Sequence, residues 1–107
     1  MADEWQVEQG TGWIPLAGFG QINPRRDNEE GGRTYFTAQT ANGEYAKATG
    51  DSIAGGPETW DYGLDQPFLL VDSSGNCVEV MIALLEGGRY AVKSKPGSWP
   101  ITEAGAS

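Results

Sequence analysis

The stretch that decides the fold runs from Pro67 to Lys95 and reads PFLLVDSSGNCVEVMIALLEGGRYAVKSK. Three runs rich in apolar and β-branched residues are separated by two groups of turn residues, first SSGN and then EGG. Such runs, bounded by Gly, Ser and Asn, are typical of strands joined by tight turns. The stretch therefore predicts three antiparallel strands in a meander.

The length of the second turn sets the register of this meander. Side chains alternate along a strand, so a slip of one residue moves the apolar set to the other face. A three-residue loop at 86–88 keeps the apolar residues together, with Gly88 supplying the positive φ of a bulge, whereas a two-residue loop separates them. The three-residue loop predicts these cross-strand pairs: Leu84 with Tyr90, Ile82 with Val92, Met81 with Lys93, and Glu79 with Lys95.

The two faces of the middle strand are both apolar to some degree. One face holds Val78, Val80, Ile82 and Leu84, and we expect it to point into the core. The other face holds Cys77, Met81, Ala83 and Leu85 beside Glu79. Either the rest of this chain or a partner protein is expected to cover part of that second face, and the pattern alone does not decide which.

Length and composition favour one small β domain. A chain of 107 residues fits a single domain over 1–107, and its 16 glycines suit many short strands joined by turns. No window repeats apolar residues with a helical period. The expected fold is all-β, a small antiparallel sandwich or barrel-like domain built on the C-terminal meander. Residues 1–3 and 102–107 are expected to be disordered.

Charge and cysteine content limit the partners. The net charge is -8, with 15 acidic and 7 basic residues, so we expect no nucleic-acid binding. No apolar run approaches the ~20 residues that a membrane-spanning helix needs, and the first residues carry no signal-peptide pattern. The single cysteine, Cys77, allows no internal disulfide. The expected location is cytoplasmic, or within a larger assembled particle.

The first two thirds of the chain predict further short strands. Trp5 and Trp13 each lie in a strand-like segment, and residues 24–32 are expected to form an exposed loop. Asn42 and Gly43 predict a hairpin over 33–49 that pairs Thr40 with Tyr45 and Phe36 with Thr49, at a sheet edge or protruding. Residues 50–66 are expected to form a long connection, which is often functional.

The residue types present argue against catalysis. The chain has no histidine, so Ser52 in a GDS motif and Cys77 both lack the usual base, and a zinc site lacks its usual ligands. Asp61 and Asp65 could serve as the acid pair of a glycoside hydrolase, and this activity is the one exception to the expectation of no catalysis. Asp72, with Ser74 and Asn76, is expected to form a hydrogen-bonded turn rather than a calcium site. No cofactor or metal is expected.

Aromatic residues beside acids form the candidate binding site. Trp and Tyr are favoured in protein interfaces, and their rings can stack on sugars. The connection 57–66 is expected to be too sparsely surrounded to bury both Trp60 and Tyr62. The candidate binding residues are Trp60, Asp61, Tyr62, Asp65, Trp13 and Trp99.

Three functional hypotheses remain open. The first is a non-catalytic interaction or assembly module that is completed by another protein or by another copy of itself. The second is a carbohydrate-binding module that uses Trp60, Tyr62 and the nearby acids. The third is an acidic inhibitor that occupies a basic site on a nucleic-acid-handling protein. Oligomeric state, a glycan screen and salt-dependent binding to basic proteins distinguish them.

Overall fold

The computed structural model describes residues 5–16, 18–27 and 32–97. The predictions for 1–3, 102–107 and Trp99 lie outside these residues. The described strands, in chain order, are β1 (Gln6–Gly10), β2 (Ile14–Leu16), β3 (Gly20–Arg26), β4 (Thr34–Thr40), β5 (Lys47–Thr49), β6 (Ala54–Gly55), β7 (Trp60–Asp61), β8 (Phe68–Val71), β9 (Cys77–Leu84) and β10 (Tyr90–Pro96).

Two five-stranded antiparallel sheets pack as a sandwich. The meander sheet has the strand order β1-β10-β9-β8-β5, and the β4 sheet has the order β2-β3-β4-β7-β6. Each sheet contributes alternate side chains to one core, which follows from the alternation of side chains along a strand. The predicted all-β sandwich is confirmed.

The meander forms in the predicted register. Leu84 pairs with Tyr90 and Ile82 with Val92, and the pairs of Met81 and Glu79 with the two lysines are also as predicted. A single 3-10 turn at Glu86–Gly88 forms the three-residue loop. Gly88 has φ 78°, in the left-handed region where glycine is favoured. Turn chemistry and apolar alternation were therefore sufficient to determine this part of the structure.

The core is closed by aromatic rings from both sheets. Phe36 of β4 and Phe68 of β8 are both buried and stack with their centroids 4.9 Å apart. Tyr62 lies against them at 5.5 and 6.0 Å. Around these rings lie buried aliphatic residues from both sheets, including Ile14, Ile22, Leu70, Val80, Ile82 and Val92.

The predicted hairpin over 33–49 is wrong beyond its turn. Gly43 has φ 85°, as a tight turn there requires, but the bridge joins Gln39 with Tyr45, one residue away from the predicted pairing. After Ala46 the chain leaves the β4 sheet, and Lys47–Thr49 pairs with β8 of the meander sheet. The pair of Phe36 with Thr49 therefore does not form, and β4 lies at the centre of its sheet rather than at an edge.

Two segments that were predicted to be irregular contain strands. Pro24–Arg26 continue β3 and pair with β4, so these three residues are not part of the exposed loop that was predicted over 24–32. The long connection 50–66 contains the short hairpin of β6 and β7, which adds two strands to the β4 sheet. Both segments lack the apolar alternation that identifies strands in a sequence.

Candidate functional site

The aromatic pair of the predicted site is not presented to solvent. Tyr62 is 4% exposed and belongs to the core. Trp60 is partly buried and packs against the same core. A Cβ on Gly56 would lie 2.5 Å from the Trp60 indole, so the backbone of Gly56 lies directly against this ring. The expectation of a sparsely surrounded loop is therefore wrong at Trp60 and Tyr62, because β7 pairs with β4 and β6 and places this part of the segment on the sandwich.

Burial leaves two polar atoms of this pair without partners. Among the described residues, neither the Tyr62 hydroxyl nor the Trp60 Nε1 atom has a hydrogen-bond partner. Burial raises the pKa of the Tyr62 phenol well above its ordinary value, and the nearby Tyr90 contributes in the same direction. Tyr62 is therefore a neutral core residue at physiological pH.

The two acids of the predicted site bond to different parts of the molecule. Asp61 accepts a hydrogen bond from Arg33 Nε at 2.6 Å, on the outward side of the β4 sheet. Asp65 is exposed, has φ 63°, and donates its backbone N–H to the carbonyl of Ile82 in the meander sheet. Asp61 and Asp65 are four residues apart in the sequence, yet Asp61 belongs to the β4 sheet and Asp65 bonds to the meander sheet. Trp13, a residue of the predicted site that lies outside this segment, is 42% exposed.

The turn before β9 is held by Asp72, as predicted. Its Oδ1 accepts backbone N–H bonds from Ser74 and Asn76, each at 2.9 Å, and its Oδ2 accepts the Asn76 side-chain amide at 3.0 Å. Desolvation alone would raise the pKa of Asp72, but these hydrogen bonds outweigh it and lower the pKa. The carboxylate is thereby occupied in holding the turn.

The outward side of the meander sheet carries an unusual concentration of cations. The pairing registers place residues of β1, β10, β9, β8 and β5 on this side. We call it the lysine face, and it consists of Trp5, Val7, Gln9, Lys93, Lys95, Glu79, Met81, Ala83, Ala91, Cys77, Leu69, Val71, Lys47 and Thr49. It contains all three lysines of the chain. Among its residues, Glu79 is the one carboxylate.

Part of the lysine face is covered by its own side chains. The Lys95 ammonium lies 4.6 Å from the centroid of the Trp5 ring and 3.9 Å from a Glu79 carboxylate oxygen. This row covers the part of the face around Glu79, because a lysine stem packs on apolar surface while its charge stays in water. Burial raises the pKa of the partly buried Cys77 thiol, and the negative charge of Glu79 raises it further. Cys77 is therefore not an activated nucleophile.

The remainder of the lysine face is open to solvent in the described structure. Val7 is 50% exposed, and Met81, Ala83 and Leu69 are each only partly buried. The second face of the middle strand, β9, is thus covered in part by this chain. Trp5 and Lys95 cover some of it, and an apolar remainder stays accessible. Lys93 and Lys95 are two residues apart, so the sequence predicts that they share a face. The sequence does not predict that β1 pairs beside them with β10.

The chain defines a small antiparallel β-sandwich with two chemically different outer faces. No protein-family model matches it, and comparisons with curated protein sequences and with solved structures found no significant match. Within residues 5–16, 18–27 and 32–97, no group of three or more His, Cys, Asp or Glu side chains is placed to hold a metal ion. No helix in this described part is long and apolar enough to cross a membrane.

Proposed function

We propose that the protein is a non-catalytic assembly module in which the lysine face binds the acidic surface of a second copy of the same chain. The observation that carries this proposal is the segregation of charge. A chain with net charge -8 has its three lysines on one sheet face, beside exposed Val7 and partly exposed Met81. Of the ten carboxylates among the described residues, nine lie outside this face.

The charge pattern favours a head-to-tail contact over a face-to-face dimer. Two lysine faces brought together would place like charges opposite each other, which opposes association. A lysine face placed on exposed acids of a neighbour, such as Glu44, Asp51 and Glu58 in the turns outside this face, brings opposite charges together and covers the apolar remainder. Such a heterologous contact repeats from copy to copy, so the product is a ring or a filament.

A charge reversal in the middle of the lysine face tests the proposal. Lys93 lies opposite Met81 in the centre of this face, whereas Arg89 is exposed at its edge, in the turn between β9 and β10, where its Nη1 donates to Gln9 Oε1 at 3.4 Å. Lys93→Glu and Arg89→Glu change the net charge equally, so they form a matched pair. Light scattering after size exclusion at low salt should show concentration-dependent association of the wild type and of Arg89→Glu.

Under the same conditions Lys93→Glu should elute as a monomer of 11.4 kDa, the mass of one chain. Added salt should dissociate the wild-type assembly, since exposed charges are screened within about 8 Å at physiological ionic strength. A wild-type protein that stays monomeric at high concentration and low salt would contradict the proposal. Association that survives Lys93→Glu but is lost in Arg89→Glu would place the contact elsewhere.

A further inference from the structure

The outward side of the β4 sheet is polar, unlike the lysine face. The pairing registers show which residues of β2, β3, β4 and β7 lie side by side on this outward surface. We call this surface the amide face, and its strand residues are Pro15, Gln21, Asn23, Arg25, Tyr35, Thr37, Gln39 and Asp61. Apart from Pro15 and the Tyr35 ring, all of these side chains carry hydrogen-bonding groups at their ends. The amide face therefore suits a ligand rich in polar groups.

The polar side chains of the amide face are held in place by one another. Gln21 Nε2 donates to Gln39 Oε1 at 3.3 Å, and an Arg25 Nη2 donates to Thr37 Oγ1 at 2.6 Å. The Tyr35 ring lies beneath two guanidinium groups, those of Arg25 at 5.0 Å and Arg33 at 4.4 Å from its centroid. Side chains that are already ordered lose little conformational entropy on binding a ligand.

Among the described residues, these pairs leave both donors and acceptors without a side-chain partner. They are the second oxygen of Asp61 and the carbonyl oxygen of Gln21 as acceptors, and further guanidinium and amide N–H groups as donors. A hydroxyl group both donates and accepts, so a ligand with many hydroxyls can use this mixture. A phosphate group only accepts, and it would meet Asp61 beside the arginines. The chemistry favours a polyhydroxylated ligand over a phosphorylated one.

Two exposed aromatic residues stand at opposite sides of the amide row. Trp13, which is 42% exposed, directly precedes β2, and Tyr45, which is 49% exposed, bridges to Gln39 beyond β4. Three strand spacings, about 14 Å at ~4.8 Å each, separate β2 from the position of Tyr45. Among the described residues, these two and Val7 are the exposed large hydrophobic residues.

We infer that the amide face binds an oligosaccharide of several sugar units, with Trp13 and Tyr45 contacting sugar rings at its two ends. An exposed aromatic ring offers an apolar surface to the C–H side of a sugar, and the amides between the rings bind its hydroxyls. The site differs from the predicted carbohydrate site, because it uses Trp13 and Asp61 but neither Trp60 nor Tyr62. It also lies on the sheet opposite the lysine face, so it is independent of the assembly proposal.

A glycan array followed by NMR titration tests this inference. The array should carry neutral and uronate-containing oligosaccharides, and the titration should use cellohexaose, mannohexaose and hexagalacturonate together with any array hit. We expect binding of at least one glycan, with shifts in the Trp13 indole N–H and in the Gln21 and Gln39 side-chain amides. Binding that weakens with salt would assign a uronate through Arg25, and salt-independent binding would assign a neutral sugar.

Matched variants separate the site from the fold. Trp13→Ala and Gln39→Ala should each weaken binding roughly tenfold or more, as loss of a central binding residue does, with little change in the unfolding midpoint. Val7→Ala removes a similarly exposed hydrophobic residue from the meander sheet and should bind like the wild type. The inference is overturned if no glycan binds, if the shifts map to the lysine face, or if Trp13→Ala and Gln39→Ala bind normally.

Discussion

At the scale of single residues, Tyr62 shows why a site prediction from local sequence was misleading. Its neighbours Trp60 and Asp61, and the glycines around them, resemble an exposed recognition loop. In the structure Tyr62 instead packs against Phe68 of the next strand and against Phe36, which lies far from it in the sequence. Local composition cannot show such contacts, because they depend on which sheet the segment joins. The partner of Asp61, Arg33, was hidden for the same reason.

The buried phenol of Tyr62 predicts a loss of stability at alkaline pH. Its pKa is raised in the folded state, whereas an unfolded tyrosine ionises near pH ~10. Above that pH the unfolded state loses a proton that the folded state keeps, so the free energy of unfolding should fall as pH rises. Tyr62→Phe should flatten this dependence in urea unfolding measured from pH 8 to 12.

The same variant should cost little stability at neutral pH. The hydroxyl has no hydrogen-bond partner among the described residues, so its removal leaves no new unsatisfied group. We expect a change within about 1 kcal/mol, of either sign. An equal alkaline slope in Tyr62→Phe and the wild type would show that other groups, such as Tyr90, dominate the pH dependence.

Ile82 and Met81 are neighbours in β9 on opposite faces, so they form a natural pair for mutation. Ile82 is 0% exposed, and Ile82→Ala should cost roughly 2 to 5 kcal/mol, as removal of a core side chain does. Met81 is only partly buried on the lysine face, and Met81→Ala should cost much less in the monomer. Chemical denaturation of both variants checks this difference. Equal losses would mean that the lysine face is covered as fully as the core.

At the scale of strands, local turn chemistry predicted the meander but not the crossing between sheets. The strands β8, β9 and β10 are adjacent in sequence and in space, so loop length and apolar alternation determine their pairing. The segment after Asn42 and Gly43 has the same kind of turn signal, yet its second arm pairs with β8 across the sandwich. That choice depends on burial of Ala46 and Ala48 in the shared core, which no hairpin rule contains.

The central position of β4 changes the expected effect of a substitution at Gly43. Gly43 has φ 85°, and a Cβ there would meet no atom within 4 Å, so strain rather than collision limits the side chain. Gly43→Val should cost about 1–3 kcal/mol, the usual cost of a residue held in a sparsely populated backbone region. Gly43→Asn, which tolerates the left-handed region better, is the matched control.

Amide hydrogen exchange shows how far the strain at Gly43 spreads. Because the turn joins the central strand β4 to β5 of the other sheet, protection should fall in both sheets of Gly43→Val, including β9. A loss confined to residues 34–49, with β9 fully protected, would mean that this segment unfolds independently of the sandwich, as an edge hairpin would.

At the scale of the whole molecule, the two sheets bury similar side chains inward and present different chemistry outward. The meander sheet presents lysines with apolar residues, and the β4 sheet presents amides, arginines and aromatic rings. The sequence predicted the all-β sandwich from alternation and turns. It did not predict the two faces, because each is assembled from strands that are distant in the chain, such as β1 beside β10.

The most direct test of the assembly proposal is an NMR dilution series that follows the methyl groups of Met81 and Ile82. Met81 lies on the lysine face and Ile82 points into the core one residue away, so the second methyl is an internal reference. As concentration rises at low salt, the Met81 methyl signal should shift and broaden while the Ile82 signal changes little, and salt should reverse the effect. A Met81 signal that is independent of concentration, or equal changes at both methyls, would contradict binding through the lysine face.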